Sequence, residues 1–169
     1  MAFPNAVVRV NETDANYWPS PANKSKAPAF LSTFFDAVSE SVAPYLASGR
    51  FKPFNGDVEL DPGIRAVALP GHTPGHTGYL VESGANHLLV WGDIVHVAAI
   101  QLQNPTASVE YDTDAAAAQR SRRSALELAA SRRYLIGAAH IAFPGLGHIR
   151  KNRNTYDWVP VNYEAAPGQ

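Results

Sequence analysis

The sequence predicts an α/β fold, with a plain α+β domain as the alternative arrangement. Three observations carry that reading. Short β-branched runs alternate with two long amphipathic or Ala-rich stretches, so hairpins mix with helices rather than repeating as in a sandwich. The composition is that of a globular chain, with 46% hydrophobic and 17% charged residues, which excludes disorder. The length of 169 residues fits one domain spanning 1–169, with no internal repeat and no linker long enough to divide it.

Ala6–Val10 (AVVRV) predicts a strand. Asn11 is placed to cap a short helix from Glu12 that stops at Trp18-Pro19, and Pro19–Lys26 reads as a loop. Pro28 suits a first helical turn, because its missing N–H has no partner to lose there. Leu31, Phe34, Phe35, Val38, Val42, Tyr45 and Leu46 then recur at spacings of three and four, an apolar helix face with Pro44 as a kink and Gly49 as its stop. Strands follow at Val58–Leu60, Ile64–Leu69, Thr77–Glu82 and His87–Trp91, the last two joined as a hairpin by Ser83–Asn86. Thr113 is the expected cap of a helix from Asp114 to about Arg133. Tyr134–Ala139 is a further strand, and Tyr156–Tyr163, interrupted by Pro160, is an edge strand before a frayed tail at 164–169.

Charge and composition exclude several function classes. Fourteen basic against fifteen acidic residues give a net charge of −1, so no global field favours nucleic acid or an anionic membrane. The cluster Arg120, Arg122, Arg123, Arg132 and Arg133 shares its helix with many alanines and lacks aromatic stacking partners, and it reads as a solvated face. The absence of cysteine removes disulfides, thiolate zinc sites and Cys nucleophiles. No apolar run approaches the ~20 residues of a spanning helix. Met1–Val10 lacks a signal peptide's basic and apolar regions, so a cytoplasmic chain is the expectation.

The six histidines are the informative residues. His72, Asp93 and His140 each follow an apolar strand directly. Side chains at neighbouring strand ends can converge above a sheet edge, and two imidazoles with one carboxylate suit zinc or a similar ion. A single histidine after a strand is more often a loop residue bonded to backbone; two histidines and an aspartate at three successive strand ends point to a site. In Pro70-Gly71-His72-Thr73-Pro74-Gly75-His76-Thr77 the Pro-Gly pair prevents a helix, leaving a tight turn that presents His72 as a ligand, with Thr73 bonding local backbone. His76 is expected to orient that turn. His96, close to Asp93, is a candidate supporting or pocket residue, and His148, in a Gly/Pro loop, a pocket residue or alternative ligand. His87 reads as a surface or edge residue. Trp18 and Phe143 are candidate pocket aromatics, whereas Phe34 and Phe35 read as core.

These residues resemble the metallo-β-lactamase superfamily of hydrolases. The likeness rests on PGHTPGH ahead of a strand, Gly92-Asp93 after the next, and a later strand ending in His140. The stretches AVVRVNETDANYW, LVWGDIVHV and AAHIAFPGLGHIRK are similar to its methyl parathion hydrolase-like and lactonase-like branch. The resemblance implies an αββα sandwich with a two-metal site at one edge. It also implies His72 on the first metal, Asp93 bridging both at the centre of catalysis, His140 on the second, and hydrolysis of lactone, ester or phosphotriester bonds by a metal-held hydroxide.

One departure qualifies this. The family's upstream ligands come from a His-x-His-x-Asp-His motif, and here no two histidines are two apart and no Asp-His pair exists. The chain therefore looks like the C-terminal part of such an enzyme. One metal or none is expected, and one sheet face should be bare. A homo-oligomer covering that face, or completion by a missing N-terminal half, follows from it. The competing reading is a non-catalytic fragment that self-associates.

Overall fold

The structure, a computed structural model, describes residues 2–162. The expected tail at 164–169 and the end of the last strand at Tyr163 lie outside the described residues. Helix α1 (Glu12–Tyr17) starts where the sequence placed it, with Asn11 Oδ1 accepting from the Thr13 N–H at 2.8 Å. Ala6–Val10 does not become a strand. It makes one isolated parallel bridge, Val8 to Phe51, and Asn11 just beyond it makes another, to Phe54. Pro19–Lys26 is not all loop either: Pro21–Lys26 forms α2, capped by Ser20 and begun by a proline that loses no hydrogen bond there.

A 3₁₀ turn at Ala29–Leu31 leads into α3 (Ser32–Ala47), which runs on through Pro44 for its last turn. Gly49 ends it at φ +68. Only part of the expected apolar face is buried. Leu31, Phe35 and Tyr45 are inside, while Phe34 and Leu46 are half-exposed.

Seven strands then form one sheet in chain order: β1 (Glu59–Asp61), β2 (Ile64–Ala68), β3 (Thr77–Ser83), β4 (Asn86–Val90), β5 (Leu135–Gly137), β6 (Leu146–Asn152) and β7 (Thr155–Pro160). All neighbours are antiparallel except β4 and β5. A parallel pair needs a long crossover. Residues 91–134 supply it, through the short α4 (Ala98–Gln101) and the long α5 (Ala115–Arg132). Asp114, not Thr113, caps α5, accepting from Ala117 N at 2.9 Å. The hydroxyl of Thr113 donates instead to the Gly71 carbonyl. Strand β6 was missed: Gly145, Gly147 and the polar Arg150 and Lys151 hide its alternation. β7, with Pro160, is an edge strand as expected, whereas His87 sits half-buried in the central β4.

The core lies on one face. Register pairs Leu80 with Leu89 and Leu89 with Ile136, and this row meets Ala125, Leu126 and Ala129 of α5, with Trp91, Ile94 and Leu102 filling the end. The other face carries Val81, Leu88 and Leu135 in one row, half-buried, and Ile64, Val90 and Val159 at 37–39% exposure. The fold is thus mixed α+β, with helix α5 on one face of the sheet. No second sheet occurs among the described residues.

Gly71 is where α5 meets the β2–β3 turn. Its φ is +131, and an added Cβ would lie 2.0 Å from the Ala118 amide nitrogen. Gly71→Ala is therefore expected to lose at least about 3 kcal/mol of stability, from backbone strain plus a clash the helix cannot relieve. Urea unfolding of the two proteins checks this.

Candidate metal centre

Three turns at one rim of the sheet carry the candidate ligands. The turn after β2 presents His72. It is clamped by α5, where the Ser121 hydroxyl donates to the Pro70 carbonyl at 2.7 Å and the Asp114 N–H to Gly71 at 2.9 Å. From the other side Asp14 of α1 accepts from the Thr73 hydroxyl at 2.5 Å and from the Gly75 N–H at 2.6 Å. Thr73 thus bonds a distant carboxylate rather than local backbone. A 3₁₀ turn after β4, Gly92–Ile94, presents Asp93. Gly92 has φ +60, and a Cβ there would strike the His76 ring at 2.6 Å, so glycine is required for the two turns to touch. The turn after β5 presents His140 in the left-handed region, φ +61, a conformation that for a non-glycine residue is held only by its surroundings.

The three side chains come together. His72 Nε2 lies 3.5 Å from Asp93 Oδ2, and His140 Nε2 lies 2.9 Å from Asp93 Oδ1. His76 lies behind them: its Nδ1 is 3.0 Å from the Leu69 carbonyl, and its Nε2 accepts the Asp93 N–H at 2.9 Å. That pattern needs a neutral ring with the proton on Nδ1. Burial lowers its pKa, and the nearby His72 pushes the same way.

His96 is nearer the centre than the sequence indicated. Its ring stacks on His140 at 4.6 Å and meets His72 at 4.7 Å. Ligand atoms of His72, Asp93 and His96 all lie within 4.8 Å of one another. Burial, aided by His72, pulls the His96 pKa down to about 4, so it is neutral at pH 7. Its Nδ1 is buried without a hydrogen-bond partner. Imidazoles around one carboxylate, one of them neutral and with an orphaned nitrogen, are a donor set that fits zinc or a similar divalent cation.

Two other expectations fail. His148 lies in β6, facing the Tyr134 carbonyl at 3.0 Å, and takes no part in the centre because its strand carries it to a different cleft. Phe143 is 80% exposed and is not part of the wall beside the ligands. That wall encloses about 360 Å³ and is formed by Trp18, Leu31, Phe34 and Tyr111. Trp18 and Phe34 both line this cleft, the latter a residue that the sequence reads as core.

Sequence reasoning also missed Asp112 and Arg122. Asp112 Oδ1 is 3.1 Å from His72 Nδ1. Arg122, read as part of a solvated face, is 1% exposed, on a small-residue stripe with Ala118, Ser121, Ala125 and Ala129. That stripe, in an otherwise charged helix, was the available signal. The guanidinium donates to the carbonyls of Ile94, Pro105 and Ala107.

A profile of the metallo-beta-lactamase superfamily matches residues 2–140. The chain belongs to that superfamily. A similar solved structure within it is AbOPH, described as a hydrolase in the beta lactamase superfamily, at 30% identity and TM-score 0.88, covering 96% of this chain and 57% of that one. The dizinc quorum-quenching lactonase AidC shares the fold at 23% identity and TM-score 0.86, covering 98% of this chain and 58% of its own. A probable metal-dependent hydrolase from Staphylococcus aureus shares it at 19% identity and TM-score 0.70, covering 96% and 55%. This superfamily member therefore spans 55–58% of the length of those structures. No curated protein matches it. No described helix is long and apolar enough to cross a membrane.

His76 and His96 both sit below the ordinary histidine value of 6.5. The unfolded chain then takes up protons that the folded chain refuses, so stability is full above about pH 6.5 and declines as pH falls below it. Melting temperatures in EDTA should drop between pH 7.5 and 5.5. The drop should be smaller in His76→Gln, whose amide can serve both bonds without titrating.

Proposed function

We propose that the chain carries the metal-binding part of a hydrolase acting on ester, lactone or phosphotriester bonds. One observation carries this reading: Asp93 flanked by His72 at 3.5 Å and His140 at 2.9 Å on a common rim. His72, Asp93 and His140 would hold the cation, with His96 beside them. A divalent cation bound there supplies Lewis-acid polarisation of the scissile oxygen and activation of water. The chain's own residues do the rest. His76 holds the Asp93 turn through its amide, which aims the carboxylate across the gap between the imidazoles. Trp18, Leu31, Phe34 and Tyr111 offer an apolar seat without a charged side chain, which suits the hydrocarbon substituent of a neutral substrate. Two or three protein ligands to one cation make a weak cage, so one zinc per chain, loosely held, is the expected stoichiometry.

Zinc titration followed by assays on a lactone and a phosphotriester tests the reading. Saturable binding of one zinc, with turnover abolished in His72→Ala and Asp93→Ala, is the expected outcome. Binding that survives both substitutions rejects it.

A second reading concerns the open sheet face. Ile64, Val90 and Val159 leave an apolar strip exposed opposite α5, and a second copy of the chain is the occupant we propose for it. Sedimentation should give a dimer for the wild-type chain and a monomer for the Val90→Glu/Val159→Glu double variant. Wild-type chain that sediments as a monomer across the micromolar range refutes the pairing.

A further inference from the structure

The buried pair behind His72 has a geometry that a purely structural ion pair does not need. Asp112 has a 1% exposed side chain, and its two oxygens have different tasks. Oδ1 faces His72 Nδ1 at 3.1 Å. Oδ2 accepts the Val109 N–H at 3.2 Å and faces Arg122 at 3.7 Å. A carboxylate only accepts, so the His72 proton belongs on Nδ1 and the lone pair of Nε2 is left facing Asp93. The same guanidinium that holds Asp112 donates from Nε to the Ile94 carbonyl at 2.7 Å. Ile94 is the residue next to Asp93. One buried cation therefore touches the carboxylate that orients the imidazole ligand and the peptide that follows the carboxylate ligand. Its other bonds, at 3.1 Å to Pro105 and 2.7 Å to Ala107, tie down the loop that leads to Asp112.

We propose that Asp112 and Arg122 are positioning residues that set the ring tautomer of His72 and its distance from Asp93, so that both present their ligand atoms to one divalent cation. This rests on the metal-dependent reading above. Hydrogen bonds from a ligating imidazole to a carboxylate fix its orientation and raise its basicity, and their loss commonly weakens metal affinity by about 10–100-fold. A buried ion pair by itself adds little to stability, which leaves positioning as the property it supplies here.

The test uses Zn²⁺ as the probe, measured by competition with a chromogenic chelator, together with ¹⁵N shifts of the histidine rings. Asp112→Asn, nearly identical in size, should weaken zinc binding by about 10–100-fold, and it should also melt earlier than wild type because the buried Arg122 charge loses its counter-ion. Leu126→Ala, equally buried on the same helix as Arg122, should melt earlier and keep the wild-type zinc affinity. In zinc-loaded wild-type protein His72 should carry its proton on Nδ1, a readout that needs no variant to fold. Zinc held equally well by Asp112→Asn, or a His72 protonated on Nε2, overturns the proposal. Wild-type chain that binds no zinc overturns the metal-site reading, and the proposal with it, whereas zinc that binds wild type and Asp112→Asn alike defeats the positioning proposal alone.

Discussion

A guanidinium removed from water must have its donors met, and this demand shapes the whole rim of the sheet. Arg122 is one of the largest fully buried side chains of the protein. Burial works against its charge and Asp112 works for it. The carbonyls that satisfy it come from Ile94, Pro105 and Ala107, three points on an irregular crossover that would otherwise have little to fix it. Removing one partner of such a pair typically costs about 3–5 kcal/mol, because the other charge is left stranded. The crossover can therefore adopt few alternatives once α5 has docked. Gln101, 2% exposed, adds a second anchor by accepting from the amides of His96 and Val97 and donating to Ala107.

The ligand geometry inherits this rigidity. Strand ends deliver His72, Asp93 and His140 to one rim, but strands alone set positions only to the spacing of neighbouring backbones. The closer adjustment is made by contacts between turns. His76 ties the first turn to the second, Gly92 allows them to touch, and the left-handed backbone at His140 swings its ring onto His96. Each device suits its residue type: a neutral imidazole is both donor and acceptor, glycine admits a ring where a Cβ would clash, and histidine tolerates positive φ better than a branched residue.

Much of this was legible in the sequence, and the parts that were not have physical reasons. The hairpin at Thr77–Val90, the Asn11 cap and the edge position of the last strand follow from local rules that tertiary contacts did not override. The convergence of His72, Asp93 and His140 was inferable because each ends a strand. The strand Leu146–Asn152 was not, since Gly147 and the adjacent cations Arg150 and Lys151 conceal its period, and His148 went with it. Ala6–Val10 has strand propensity but no sheet edge to join, so propensity had nothing to act on. Arg122 was invisible as a core residue because Arg120, Arg123, Arg132 and Arg133 surround it in sequence, and only the small residues beside it distinguish its face. Phe34 and Phe35 are adjacent, and periodicity cannot decide which of the two turns inward when the helix borders a cleft.

The apolar wall of the cleft is attached to the ligand turn rather than to the sheet. Trp18 packs on Phe35 at 4.8 Å and on Tyr17 at 5.2 Å, which joins the ends of α1 and α3 into one aromatic unit. α1 is tied to the His72 turn through Asp14, whose carboxylate receives Thr73 and Gly75. Across the cleft Phe30 meets Tyr111 edge-on at 5.6 Å, and Asp112, which holds His72, is the next residue along. Both sides of the apolar seat are thus bonded within one residue of the imidazole they flank, or to the turn that carries it. A displacement of His72 therefore moves the seat with it. Ligand spacing and pocket shape in this chain are a single mechanical property.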